Sequence, residues 1–126
     1  MGVRQPNEIS EAFGNFFNKR DKAGLLALYA DDAILTVDGA ALARGKAEID
    51  KLVTQFLDSP LRIAIKCAAC HQQADTALVR SDWKFTGPDG SIAMTGSSAE
   101  VLRKGPDGLW RLLVDDATFS SRPTSL

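Results

Sequence analysis

Three groups of side chains in this sequence have types and spacings that could carry chemistry. Cys67 and Cys70 enclose two alanines, the spacing of a redox pair or half a zinc site, and His71 follows directly. Arg80 and Asp82 flank Ser81 in a run that alternates apolar and polar residues. On an extended strand, residues two apart share a face, so this guanidinium and carboxylate would sit together. The third group is the acids of the C-terminal third, Glu100, Asp115 and Asp116. A carboxylate becomes a useful general acid or base where burial lifts its pKa toward neutrality. What each group can do therefore depends on the elements that position it.

The cysteines are the least supported. Zinc takes about four ligands, and only His71 stands beside the pair. A redox pair wants its first cysteine at a helix N-terminus. Here both lie within Leu61 to Gln72, which reads as a strand, so the thiols are expected on opposite faces, reduced and structural. His71, the sole histidine, is expected at the surface or a pocket rim. No metal or cofactor is implied.

Ile9, Phe13, Phe16 and Phe17 recur at helical spacing between Pro6 and Arg20. Asp21 can cap a second helix that carries Leu25, Leu26, Leu28 and Tyr29 inward. Ala33 to Val37 is a short β-rich run ended by Asp38-Gly39. A third helix, Lys46 to Leu57, presents Ile49, Leu52, Val53, Phe56 and Leu57 on one face, and Asp58-Ser59-Pro60 stops it. Beyond it the period changes to two. Leu61 to Gln72, Thr76 to Thr86, Ser91 to Lys104 and Leu109 to Phe119 read as strands. Short turns join them, two of them Pro-Asp-Gly at Pro88 and Pro106, so an antiparallel meander is expected.

The whole reads as one α+β domain of 126 residues, three N-terminal helices packed on a curved antiparallel sheet. Fifteen Lys and Arg nearly balance 16 Asp and Glu without a basic cluster, which argues against a nucleic-acid partner. No apolar run approaches the ~20 residues of a membrane span. The mixed polar start resembles no signal peptide, and Pro6 stands where a myristoylation motif wants Ser or Thr, so a cytoplasmic location is expected. The last strand is apolar on both sides, Leu109 and Leu113 on one, Trp110, Leu112 and Val114 on the other. Helices can cover only one face of the sheet, so the second is expected to form a homodimer.

At Leu28-Tyr29-Ala30-Asp31-Asp32-Ala33, at G-K-A-E-I from Gly45, and at D-G-L-W-R-L-L-V-D from Asp107 to Asp115, the chain resembles the nuclear transport factor 2-like superfamily. This is the ketosteroid-isomerase-like and SnoaL-like group, and the nearest likeness is to its branch without known function. The resemblance spans nearly the whole chain. It implies a cone-shaped, cystatin-like fold whose sheet curls round a pocket roofed by helices, with the sheet's back forming a homodimer. Such folds host isomerases, dehydratases, epoxide hydrolases and pure binding modules.

Carried over residue by residue, the resemblance is uneven. Ketosteroid isomerases set an Asp base opposite a Tyr and a protonated Asp. Their D-V-M-R hairpin resembles Glu100-Val101-Leu102-Arg103, which implies Glu100 at the pocket acid position. Their base position falls on Val37, with Asp38 one residue late, and their tyrosine position falls near Phe13. Limonene-type epoxide hydrolases use an Asp-Arg-Asp set that resembles Arg80, Asp82 and Asp115, but their water-holding Tyr and Asn fall on Leu35 and Val37. Both likenesses imply that Asp115 faces the pocket, beside Leu113, Ala117 and the helical phenylalanines. The candidate catalytic residues are thus Asp115, Glu100, Arg80 and Asp82, and the candidate pocket lining is Phe13, Phe17, Tyr29, Val37, Leu113 and Ala117. Two functions remain open. One is a module binding a small hydrophobic molecule; the other is a cofactor-independent acid-base enzyme of isomerase, dehydratase or epoxide-hydrolase type using Asp115.

Overall fold

The computed structural model describes residues 1–126. A single 3-10 turn, Pro6–Glu8, leads into α1 (Ile9–Asn18), and the Gln5 N–H is held by the Glu8 carboxylate at 2.8 Å. The chain reverses at Arg20, in the left-handed region at φ 57°. Asp21 then caps α2 (Lys22–Ala27) by accepting the Gly24 N–H at 2.9 Å, as its side-chain type requires. Next come β1 (Tyr29–Thr36), a two-residue β2 (Ala43–Arg44) and α3 (Gly45–Leu57). The rest is sheet: β3 (Arg62–Gln73), β4 (Thr76–Thr86), β5 (Ile92–Ser97), β6 (Ala99–Lys104) and β7 (Trp110–Asp116). No helix is long and apolar enough to cross a membrane.

The three helices cover one face of a curved seven-stranded sheet in the order β2-β1-β7-β6-β4-β3, with β5 on β4. The meander is antiparallel as the short turns require, and one junction differs. β1 runs parallel to β7, because β2, α3 and strands β3 to β6 intervene before the chain returns beside it, which makes the sheet mixed. Two boundaries also moved. Tyr29 opens β1 instead of closing α2, so the strand starts four positions before Ala33. The run Ser91 to Lys104 breaks at Ser98 into β5 and β6, which pair with different halves of β4. Gly96 lies under the Trp83 indole, where any Cβ would collide with the ring.

Bulges decide which side chains look inward. In β7 the pairing with β6 steps from Leu112 to Val114 and skips Leu113. An extra residue reverses the alternation beyond it. Trp110 and Leu112 therefore face the helices and are 2% exposed, and Asp115 still faces inward three residues on. This corrects two expectations. Leu113 does not line the pocket, and Trp110 and Leu112 belong to the core of the single chain instead of its outer face. A second bulge, between Cys67 and Ala69 in β3, sets Cys67 opposite Ser81 and Cys70 opposite Val79. Both thiols thus share the inner face, not opposite ones; they are free and half-buried, and burial pushes both pKa values up. His71 pairs with Leu78 on the outer face and is exposed.

Candidate functional site

Between the helices and the inner face of the sheet lies a cavity of about 210 Å³, lined by 23 residues of which 17 are hydrophobic. α1 contributes Ile9, Phe13 and Phe17, α3 contributes Val53 and Phe56, and the sheet contributes Ile63, Ile65, Trp83, Phe85 and Leu112. Their spacing is what the sequence dictates: one stripe from each helix, alternate residues from each strand. The Trp83 indole N–H donates to the Ala117 carbonyl at 2.7 Å, which satisfies the one polar atom of that ring. No Lys, Arg or His lines the cavity.

Two acids sit in this apolar wall. Glu100 on β6 and Asp115 on β7 are direct cross-strand partners, 6% and 8% exposed. The Tyr29 hydroxyl donates to Asp115 Oδ2 at 2.7 Å. Glu100 Oε1 accepts from Ser81 Oγ at 2.8 Å and from Ser98 Oγ at 2.7 Å, and Ser10 Oγ on α1 lies 2.7 Å from Ser81 Oγ. Glu100 Oε2 is buried with no hydrogen-bond partner.

Burial is the largest influence on both acids, because a desolvated carboxylate is costly. It raises Glu100 to about 8, helped by the Asp115 charge and opposed by the two serine hydroxyls. It raises Asp115 to about 6, with Tyr29 opposing and the Asp116 charge assisting. Two like charges side by side do not ionise together easily, so near neutral pH the pair carries one proton, held by Glu100. Tyr29 is driven well above its ordinary value by burial and then by Asp115, so it stays a donor. A neutral carboxyl and an ionised one, side by side in an apolar cavity, can give a proton at one point and take one at another.

The structure brings together Asp115, Glu100, Phe13, Phe17, Tyr29, Val37 and Ala117, and leaves Leu113 out. Arg80 and Asp82 do not join them. They pair with each other at 3.1 Å on the outer face, with side chains 51% and 36% exposed, and Ser97 also donates to Asp82. The strand parity that puts them together puts Ser81 inward, so the epoxide-hydrolase set does not assemble. Asp116 is held by Arg122 at 2.6 Å. Neither the cysteines nor any other three His, Cys, Asp or Glu side chains form a group that could hold a metal. Ser10, Ser81 and Ser98 escape the sequence reading. The signal for Ser81 was present in the alternation of β4; nothing marked Ser98, which sits at the break between β5 and β6.

The model of the SnoaL-like domain matches residues 10–116. No curated protein matches the chain. Solved structures of similar fold include a nuclear transport factor 2-like protein with a cystatin-like fold from Novosphingobium aromaticivorans. It is 20% identical, with 92% of this chain and 80% of that one covered and a TM-score of 0.78. A ketosteroid isomerase-like protein from Erwinia carotovora atroseptica is 26% identical over 84% of this chain and 86% of its own, with a TM-score of 0.67. A protein of unknown function with a cystatin-like fold from Nostoc punctiforme is 23% identical over 92% and 90%, with a TM-score of 0.78.

Proposed function

The chain belongs to the SnoaL-like domain family, and we propose that it binds a small, largely apolar, uncharged molecule in the cavity beside Glu100 and Asp115. The observation that carries this reading is a mostly apolar wall whose charged side chains are one acid pair, with a tyrosine hydroxyl donating to it and no cation to attract an anionic ligand. The volume, about 210 Å³, is below the roughly 300–1,000 Å³ of sites for drug-sized ligands, which favours a molecule of about one ring. Displaceable apolar surface supplies the affinity, and the acid pair orients the ligand. Calorimetric titration with one-ring apolar compounds, repeated on Phe17→Trp to fill the cavity, tests it. Binding lost in the filled variant supports the reading; equal binding by both proteins removes it.

A second reading has its own observation. The pKa values of Glu100 and Asp115, about 8 and about 6, straddle neutrality, which is what proton transfer to and from a bound molecule requires. In this reading Asp115 is the base of an isomerase or dehydratase type of reaction, and Glu100 is the acid. The neighbour named as ketosteroid isomerase-like fits it at the level of family alone. Turnover of a bound compound, abolished by Asp115→Asn, would support it; binding without proton exchange would leave the binding module.

For assembly, a homodimer through the outer sheet face remains the reading, on different residues from those the alternation of the last strand suggests. Ile34, Val114, Val101 and Leu78 line up in register across β1, β7, β6 and β4, with Leu78 52% exposed. Light scattering should give twice the chain mass, and Leu78→Lys should give one. A monomer in the unaltered protein would remove the dimer.

A further inference from the structure

The proton of a neutral carboxylic acid resides on one of its two oxygens, and the hydrogen bonds each oxygen makes decide which. Around Glu100 they are one-sided. Two hydroxyls converge on Oε1, from Ser81 at 2.8 Å and Ser98 at 2.7 Å, and Oε2 has no partner in the protein, Asp115 included. The Ser98 hydroxyl has one proton to give. Its alternative acceptor, the Ser81 carbonyl, is farther at 3.3 Å, and its own oxygen accepts the Ser81 N–H at 3.1 Å. Ser81 spends its single proton on Glu100, so it must accept from Ser10, which fixes the direction of the 2.7 Å contact between those hydroxyls. The order Ser10 to Ser81 to Oε1 leaves every hydroxyl proton in the chain used. Placing the proton on Oε1 would make that atom the poorer, hydroxyl-type acceptor, and giving that proton to Ser98 or Ser81 would push Ser98 onto its longer 3.3 Å contact with the Ser81 carbonyl or leave the Ser10 proton without its acceptor. All three serines are 2% exposed or less.

We propose that Ser81 and Ser98 are positioning residues that hold the Glu100 proton on Oε2, the oxygen remote from them, so that the cavity offers one fixed donor and selects ligands with a single uncharged hydrogen-bond acceptor. The ligand half rests on the pocket reading above; the position of the proton does not. The titratable groups near Glu100 are Asp115 on β7, Tyr29 on β1 and Cys67 on β3, and none of them donates to Oε2. An ionised Asp115 beside this donor repels an anionic ligand. A ketone, aldehyde or cyclic ether places its oxygen where Oε2–H is bare, and relieves a buried polar atom that otherwise goes unpaired.

The test has two arms. Infrared difference spectroscopy of the whole protein near neutral pH should show a protonated-carboxyl stretch that disappears in Glu100→Gln. In Ser98→Ala, and more in the Ser81→Ala Ser98→Ala double variant, it should move to higher frequency, because the carbonyl loses its donors. An unmoved band would overturn the proposal. Ser98→Thr, which keeps a hydroxyl, should restore the band and guards against a variant that misfolds. The second arm uses cyclohexanone and its hydrocarbon isostere methylenecyclohexane as calorimetric probes. The ketone should be favoured about fivefold to tenfold, the worth of one neutral hydrogen bond. Glu100→Gln should keep that preference, because the serines hold the amide oxygen at the Oε1 site and turn the NH₂ toward the ligand, and should lose its dependence on pH. Glu100→Leu should lose the preference itself. Loss of preference in Glu100→Gln with an unmoved band overturns the proposal. A band that moves as described, with neither probe binding, upholds the proton's position and overturns the pocket reading alone.

Discussion

Strand β4 holds two settings for a carboxyl group one residue apart. Asp82 looks outward, where Arg80 and Ser97 grip it, and hydrogen bonds from Ser97 and then Arg80 hold its pKa below the usual carboxylate range. Ser81 looks inward and serves Glu100, a carboxyl with no cation near it, which burial lifts to about 8. The outer acid is solvated, paired and ionised at neutral pH, the usual state of a surface ion pair. The inner acid is dry and shares a proton with Asp115. A one-residue step along β4 separates an exposed ion pair from the hydroxyl that serves a buried acid with no cation beside it.

The comparison breaks most easily if the inner face is not a packed core. Phe17→Ala removes a ring that is 1% exposed and stacks near Phe13 and Phe85, so it should cost about 3–5 kcal/mol in denaturant titration. A cost under ~1 kcal/mol would mean the wall is loose. Next comes the dependence on pH. Glu100 and Asp115 both have folded pKa values above their ordinary ones, so the native state binds more protons and their contribution is complete below about pH 4. Stability should fall by something on the order of 3 kcal/mol as pH rises from about 6 to 9, because each tenfold gain in proton affinity on folding is worth ~1.4 kcal/mol. The outer acids are depressed, Asp107 to about 2, and finish titrating below that window. A flat profile would erase the contrast.

Asp115→Asn gives a smaller effect of opposite sign to most mutations. It removes a buried charge and keeps an oxygen for the Tyr29 hydroxyl, so near pH 8 the protein should gain about 1 kcal/mol. The Glu100 midpoint should fall as the neighbouring charge goes. A loss of stability would make Asp115 a structural acceptor. Arg80→Ala should do least, within ~1 kcal/mol, since its partner stays solvated; a larger loss would give the outer pair a role that its exposure does not suggest.

The helices, the strands and the inward direction of Phe13 and Phe17 were legible because amphipathic stripes and turn residues repeat at fixed periods, whereas the inward direction of Asp115 came from the family resemblance. What the sequence hid lies where the period is broken. The β7 bulge moved Leu113 out and Trp110 with Leu112 in, and the β3 bulge put Cys67 and Cys70 on one face. A bulge adds one residue and leaves no compositional trace here, so strict alternation carries the parity past it wrongly. Ser10 and Ser98 were invisible for another reason: their role arises from residues up to 90 positions apart meeting at one carboxylate, Glu100.

The central claim is that Glu100 and Asp115 share one proton at neutral pH inside an apolar cavity. Carbon-detected NMR of the side-chain carboxyl groups, followed through pH, measures it directly. Glu100 should titrate near about 8 and Asp115 near about 6, and Glu100→Gln should remove only the first of these steps. If both carboxyls instead titrate at the ordinary values near ~4, the pair is ionised and solvated, and the inner face differs from the outer one in nothing that matters for chemistry.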